Sequence, residues 1–151
     1  MLAKHNLHGL RVLVIEDEPI IALMLEDVLS ELGCGVVGPA SSLQQAFDIV
    51  HSQKDIDVAI LDVRLGEQSA FPIANELAKR GTPLVFSSGM GAEGLPHEWR
   101  GHPAILKPAT LADVAAGLQQ AFEGHAATQT GARVAAGILG PASLVPCEGN
   151  D

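Results

Sequence analysis

Four sets of residues in this chain could do chemistry: the acids Glu16-Asp17-Glu18, the lone Asp62, the hydroxyl of Ser88 and the ammonium of Lys107. Each follows a short apolar run: Val12 to Ile15, Val58 to Leu61, Leu84 to Phe86, and Ala104 to Leu106. Continuous apolarity of strand length suits strands buried on both faces, as in a parallel sheet covered by helices. Such strands present their last side chains along one carboxyl edge, where open α/β folds bind ligands. Three carboxylates converging there repel and raise one another's pKa unless a cation neutralises them. Mg²⁺ suits that setting, since it takes a few carboxylates, keeps some waters and then accepts phosphate oxygens. A lysine and a hydroxyl alongside can hold two further phosphoryl oxygens. Asp62 then has the setting of a nucleophile that forms an aspartyl phosphate, its charge neutralised by metal and lysine.

The elements that must position these residues can be read in order. A first strand at 10–15 ends on the acids, and Pro19 opens a helix where its missing N–H costs nothing. Ile20, Ile21, Leu23, Met24, Leu25, Val28, Leu29 and Leu32 recur at helical spacing, and Gly33 closes that helix. A second strand is expected at 35–39, and Ser41 or Ser42 caps a second helix to about Val50. The third strand, 57–61, leads to a loop at 66–69 and a third helix over 71–80 stopped by Gly81. The fourth strand, 82–88, ends in small hydroxyls. Three glycines and a proline between Met90 and His102 predict a short or irregular fourth helix. A fifth strand at 103–106 runs into Lys107-Pro108. Thr110 then caps a last helix whose stripe is Leu111, Val114, Ala115, Leu118 and Phe122. Strands alternating with helices imply a parallel sheet with right-handed crossovers.

Composition sets the outer bounds. At 151 residues the chain suits one domain, and 47% apolar against 18% charged residues marks a globular α/β protein. A net charge of −9 argues against direct nucleic-acid binding. No apolar run approaches the ~18 residues of a membrane span, and the N-terminus lacks the apolar core of a signal peptide, so a cytoplasmic setting is expected. Cys34 and Cys147 match no zinc or redox spacing, and the six histidines have no ligand spacing. Trp99 reads as a packing residue. Residues 124–151, rich in Gly, Ala, Ser, Thr and Pro, read as a flexible Gly/Ala-rich tail.

Four motifs carry a family likeness: Val14-Ile15-Glu16-Asp17-Glu18, Ile60-Leu61-Asp62-Val63-Arg64-Leu65-Gly66, Pro83-Leu84-Val85-Phe86-Ser87-Ser88-Gly89 and Leu106-Lys107-Pro108. In order and spacing they resemble the response-regulator receiver domain over residues 9–123. The resemblance implies a flavodoxin-like (βα)5 fold, a doubly wound parallel five-stranded sheet in the order 2-1-3-4-5. It implies that Asp62 is the phosphoacceptor, taking its phosphoryl group from a sensor histidine kinase or a histidine phosphotransfer protein. By the family pattern Asp17, Asp62 and the backbone carbonyl of Val63 bind Mg²⁺ directly, and Glu16 acts through a metal-bound water. Ser88 and Lys107 contact the phosphoryl group, with backbone N–H groups from Val63 and Gly89. Arg64 and Met90, two residues beyond Asp62 and Ser88, stand where the family tunes dephosphorylation.

Three departures from the family pattern matter. Ala104 stands where most receivers carry a Tyr or Phe that swings inward on activation, so that signal is excluded here. Phe86-Ser87-Ser88-Gly89-Met90-Gly91, followed by Gly94-Leu95-Pro96, resembles the Phe-Ala-Thr-Gly-Tyr-Gly signature of a receiver subfamily that also tends to lack that aromatic. That subfamily is typical of alphaproteobacteria with kinases of the HWE or related type. Serine replaces threonine at 88, keeping the hydroxyl and losing the methyl. The expected switch is therefore an ordering of segment 89–101 when Ser88 engages phosphate.

The expected protein is a stand-alone response regulator of a two-component phosphorelay. Its output is a contact with a downstream protein target through the fourth-helix region, the fifth strand and the last helix. Nucleic acid and membrane are not expected partners, and a homodimer stays open. It is expected to catalyse nothing beyond its own phosphorylation and dephosphorylation. A phosphatase of the aspartyl-phosphate type wants a second acid two residues after its nucleophile, and Arg64 stands there. The alternative is a receiver-like interaction module that is never phosphorylated.

Overall fold

The apolar runs assemble as the pattern requires. In the computed structural model, which describes residues 6–136, β1 (Arg11–Ile15), β2 (Gly35–Ala40), β3 (Val58–Asp62), β4 (Leu84–Ser88) and β5 (Ala104–Leu106) form one parallel sheet. Its order is β2-β1-β3-β4-β5, the flavodoxin-like order expected, with β2 and β5 at the rims. Every residue of β3 and β4 is buried, as a strand covered on both faces must be. One face carries Leu13, Ile15, Ala59, Leu61 and Phe86 into a core shared with Val50, Ile73 and Leu77. The alternate residues Val12, Val14, Ile60 and Val85 point to the other face and are equally buried. Each such side chain contributes about 1.5–3 kcal/mol of burial.

Register then decides what meets at the carboxyl edge. Ile15 lies opposite Leu61, so Glu16 comes level with Asp62. Asp62 lies opposite Ser87, and Ser88 opposite Leu106. The Lys107 N–H donates to the Ser88 carbonyl at 3.0 Å, which fixes Lys107 at the same edge.

Helices α1 (Pro19–Glu31), α2 (Leu43–Ser52) and α3 (Phe71–Lys79) start and stop close to the expected positions. Gly33 adopts φ +81° just past α1, the left-handed conformation that ends a helix at little cost in glycine. Of the two candidate caps for α2, Ser42 takes the role: its Oγ accepts the Gln45 N–H at 3.1 Å. Ser41 bonds the Gln45 side chain instead, at 2.8 and 2.9 Å. Between β4 and β5 the irregular fourth helix is two short 3-10 turns, Gly91–Gly94 and His97–Trp99. α4 (Leu111–Ala136) opens with a reciprocal cap. Its Thr110 Oγ1 accepts the Asp113 N–H at 3.2 Å, and Asp113 Oδ2 accepts the Thr110 N–H at 3.1 Å.

Two expectations are corrected. The stretch read as a loop at 66–69 closes a tight antiparallel ladder, Arg64–Leu65 against Gln68–Ser69. Gly66 at φ +64° makes the turn possible. The last helix does not stop near Phe122 but continues to Ala136, so residues 124–136 are helical rather than part of a tail. The alanines beyond Phe122 sustain a helix that lacks an apolar stripe. The rest of the expected tail, 137–151, lies outside the described residues. By compactness the chain divides into Met1–Ala121, which holds the whole sheet, and Phe122–Asp151, of which only the helical stretch to Ala136 is described.

Candidate functional site

The β1, β3 and β5 ends bring Glu16, Asp17, Asp62 and Lys107 together. Glu16, Asp17 and Asp62 each offer a carboxylate oxygen within 4.8 Å of the others. The Lys107 Nζ lies 2.7 Å from Asp62 Oδ2 and 3.1 Å from Glu16 Oε1, with the exposed Glu18 at 3.9 Å. Two like charges at that carboxylate spacing repel by roughly 3 kcal/mol at an effective dielectric near 20. Three carboxylates facing one ammonium leave an excess of negative charge in a site where Glu16 is only 1% exposed.

The titration of these groups follows. Burial pushes the Glu16 carboxyl up to about 7, against the opposing pull of the Glu18 N–H and of Lys107. Burial also works against the Lys107 charge, but the hydrogen bonds to Asp62 and Glu16 outweigh it and raise the ammonium. Asp17 goes the other way. Burial alone would raise it, yet the Gly66 N–H donated to its Oδ2 at 2.9 Å and further hydrogen bonds hold it below the usual carboxylate value.

Glu16 Oε1 is buried and has no hydrogen-bond partner. Although the Lys107 Nζ is near it, the directed hydrogen bond goes to Oε2 at 3.4 Å. An orphaned carboxylate oxygen beside two more carboxylates is the donor set a hard divalent cation takes. The residues present therefore fit Mg²⁺.

The remaining expected residues are placed less simply. The Val63 carbonyl accepts the Ala70 N–H at 2.9 Å, which leaves it a second lone pair. The Val63 N–H, expected to serve a phosphoryl group, is committed to the Ser87 carbonyl at 3.2 Å, because the β3–β4 ladder runs one residue past Asp62. The amide directed at the carboxylate is that of Arg64, which donates to Asp62 Oδ1 at 3.2 Å. The Ser88 hydroxyl donates to the Gly91 carbonyl at 3.0 Å and accepts the Met90 N–H at 2.9 Å. Its one proton is thus spent inside the following turn. Gly89 follows at the β4 end. Met90 is 67% exposed, and the Arg64 guanidinium donates to the Glu67 carbonyl at 3.4 Å.

Sequence reasoning missed the Gly66 amide on Asp17 and the Arg64 amide on Asp62. Nothing in the residue types marks a backbone donor; only the turn at Gly66 hints at one. It also missed a surface. Ile20, Leu23 and Met24 are exposed on α1, and Met24 and Leu25 line a cleft with Ser87, Lys107 and Pro108. The helical spacing of α1 was legible, but it could not tell which apolar residues face the sheet.

Residues 12–119 match the response regulator receiver domain family. The phyllosphere-induced regulator PhyR of Methylorubrum extorquens is 34% identical over 115 residues, covering 74% of this chain and 43% of that protein. The transcriptional regulatory protein PdtaR of Mycobacterium tuberculosis is 32% identical over 108 residues, covering 69% of this chain and 52% of that one. The chain thus spans about half the length of the curated relatives it matches. The solution structure of SdrG from Sphingomonas melonis Fr1 superposes with a TM-score of 0.68 at 35% identity, covering 78% of this chain and 99% of that one.

Proposed function

The chain belongs to the response regulator receiver domain family, and from that premise we propose that it is a phosphoacceptor of a two-component phosphorelay with Asp62 as the accepting side chain. The observation that carries the reading is the Lys107 ammonium held 2.7 Å from Asp62, beside Glu16 and Asp17. A phosphoryl group bonded to Asp62 would bring added negative charge into a site already rich in it, and Lys107 is the cation within reach. In the transfer, an Asp62 carboxylate oxygen attacks phosphorus and the bond from phosphorus to the donor's imidazole nitrogen breaks. That electron pair stays on the ring, which takes up a proton. Lys107 passes from the carboxylate to a phosphoryl oxygen, and the Arg64 N–H keeps the remaining carboxylate oxygen oriented. Glu16, Asp17 and Asp62, with the free lone pair of Val63, would hold Mg²⁺, which when bound supplies the positive charge that this many carboxylates need. Ser88 and Gly89 would contact the phosphoryl group from the β4 side. Arg64 and Met90, both exposed, would modulate water access.

A macromolecular donor must approach Asp62 past α1, which begins two residues after Asp17 and exposes Ile20, Leu23 and Met24, Met24 also lining the cleft beside Lys107. We read this stripe as the face on which a histidine kinase or histidine phosphotransfer protein rests. The downstream target is a protein, and the chemistry belongs to the cytoplasm. Among the described residues no helix is long and apolar enough to cross a membrane.

The test is intact mass after incubation with acetyl phosphate, with and without Mg²⁺, for the wild type and Asp62→Ala. One phosphoryl adduct that needs both Mg²⁺ and Asp62 is the expected result. No adduct in the wild type, together with no binding of beryllofluoride, would overturn the reading and leave an interaction module.

A further inference from the structure

The turn after Asp62 reaches back across the site. Arg64–Leu65 pairs with Gln68–Ser69 in an antiparallel ladder, with Leu65 opposite Gln68. Gly66 and Glu67 are therefore the whole of its loop, and the favoured two-residue loops need a left-handed conformation at their first residue. Gly66 supplies it at φ +64°. In such a turn the N–H of the first loop residue takes no part in the ladder, so it can serve another group. That group is Asp17: the Gly66 N–H donates to Asp17 Oδ2 at 2.9 Å, from 49 positions along the chain.

The donor is fixed by the core. Leu65, just before it, is 4% exposed and belongs to the same buried cluster as Ile73 and Leu77. Ala70, just past the ladder, is fully buried, and its N–H donates to the Val63 carbonyl at 2.9 Å. Both ends of the hairpin are thus anchored. The acceptor has no such anchor of its own. Asp17 is half-buried and lies between β1 and α1, in neither element. Its carboxylate stands within 4.8 Å of those of Glu16 and Asp62, and like charges so close drive a short side chain out toward water.

We propose that the hairpin at 64–69 is a clamp for the cation site: the Gly66 N–H holds the Asp17 carboxylate beside Glu16 and Asp62 against their repulsion, which makes Gly66 a positioning residue for Mg²⁺. The inference rests on the reading of Asp17 as a Mg²⁺ ligand. Mg²⁺ tolerates little departure from octahedral geometry, so a carboxylate that has swung to solvent must be brought back at a cost in affinity. A carboxylate that accepts one N–H keeps lone pairs for a cation, so the clamp stays closed when the ion binds. Hydrogen-bonded supports of metal ligands are worth about ten- to a hundredfold in affinity.

A Cβ at 66 would meet nothing within 4 Å, so a substitution there acts through backbone conformation. Valine is driven out of the left-handed region and carries the N–H with it, whereas asparagine tolerates that region and keeps the N–H in place. The experiment titrates the full-length protein with Mg²⁺ alone, followed by amide NMR shifts around Asp62. Thermal unfolding without metal establishes separately that each variant is folded. Gly66→Val should weaken Mg²⁺ binding about tenfold or more, and Gly66→Asn should stay within about twofold of the wild type. In the metal-free wild type the Gly66 amide should exchange slowly, and Asp17→Ala should make it fast. A folded Gly66→Val protein that binds Mg²⁺ as the wild type does overturns the clamp and leaves the phosphoacceptor reading standing. Equal weakening in Gly66→Asn overturns it as well, because the conformation at 66 would then not be the cause. Should Gly66→Val fail to fold, Gly66→Ala decides by the same sign. A wild type that binds no Mg²⁺ takes the cation site and the clamp down together.

Discussion

Replacing Gly94 by alanine separates a merely tight loop from a switch. The added Cβ would stand 2.6 Å from Ser88 Oγ and 3.4 Å from both Ser88 Cβ and Met90 Cβ. Ser88 Oγ is the end of a short side chain that is 7% exposed, so it can relieve the contact only by rotating or by moving the turn. Overpacking of this kind costs about 1–3 kcal/mol, while alanine in place of glycine returns about 0.4–1 kcal/mol through the unfolded chain. Gly94→Ala should therefore lower the stability of the free protein by up to about 2.5 kcal/mol, the difference of those two ranges. In the state with Ser88 turned toward the phosphoryl group, the overpacking is gone. The equilibrium between the two states then shifts by the full overpacking term, a factor of about 5 to 150. The same substitution that weakens the fold should thus tighten beryllofluoride binding, up to the ceiling set by the wild-type population of the competent state. Urea unfolding gives the first quantity and a fluorine NMR titration the second. Gly101→Ala is the control, since a Cβ there meets nothing within 4 Å. A Gly94→Ala protein that loses stability and binds the mimic no more tightly would refute the idea that Ser88 turns away from Gly94 on activation.

Three other outcomes follow from the site. Glu16 has its carboxyl raised from 4.5 to about 7, so between those values the folded state holds a proton that the unfolded chain has lost. Its contribution to metal-free stability is complete below the lower value and disappears as pH rises through the upper one, about 3 kcal/mol in all. The wild type minus Glu16→Gln difference in urea unfolding, followed from acid to neutral pH, should show that fall, and a rise would contradict it. Lys107→Met leaves Asp62 and the buried Glu16 without their counter-ion, which should cost about 3 kcal/mol or more. Added Mg²⁺ should restore part of it, whereas thermal unfolding that is the same with and without the ion would count against the cation site. On α1, Ile20→Glu with Leu23→Glu should slow phosphotransfer from a histidine donor at least about tenfold by removing the apolar contact of an exposed docking stripe. Labelling by acetyl phosphate, which needs no docking face, should be unchanged, and equal slowing of both would mean that the helix itself was damaged.

The fold was legible because its signals are redundant. Five apolar runs, four of them followed by a helical period, leave few topologies, and Asp62, Glu16 and Lys107 could be placed on one edge because each follows its strand directly. The ladder at Arg64–Leu65 was not legible, since two residues on either side of Gly66 carry no alternation to read. Nor was the length of α4, because beyond Phe122 the helix rests on propensity and no stripe marks where it ends. The state of Ser88 was the least accessible. Its type points to the phosphoryl group, and only the positions of Gly91, Met90 and Gly94 show that its hydroxyl is already engaged elsewhere. Trp99 was read correctly as a packing residue, but its partners Phe71 and Phe86 come from distant elements that no local pattern connects.

The two rims of the sheet have a consequence for how this protein can associate. An edge strand with free N–H and C=O groups invites a second chain to add itself as another strand. Here β2 contains Gly38-Pro39, and a proline offers no N–H to a newcomer. β5 is three residues long and is followed at once by Lys107-Pro108, so it presents almost no ladder to copy. A chain with rims like these is protected from adding further copies strand to strand. A second copy, or a target, must meet it through side chains, and such contacts can be made and broken without the hysteresis of a shared sheet.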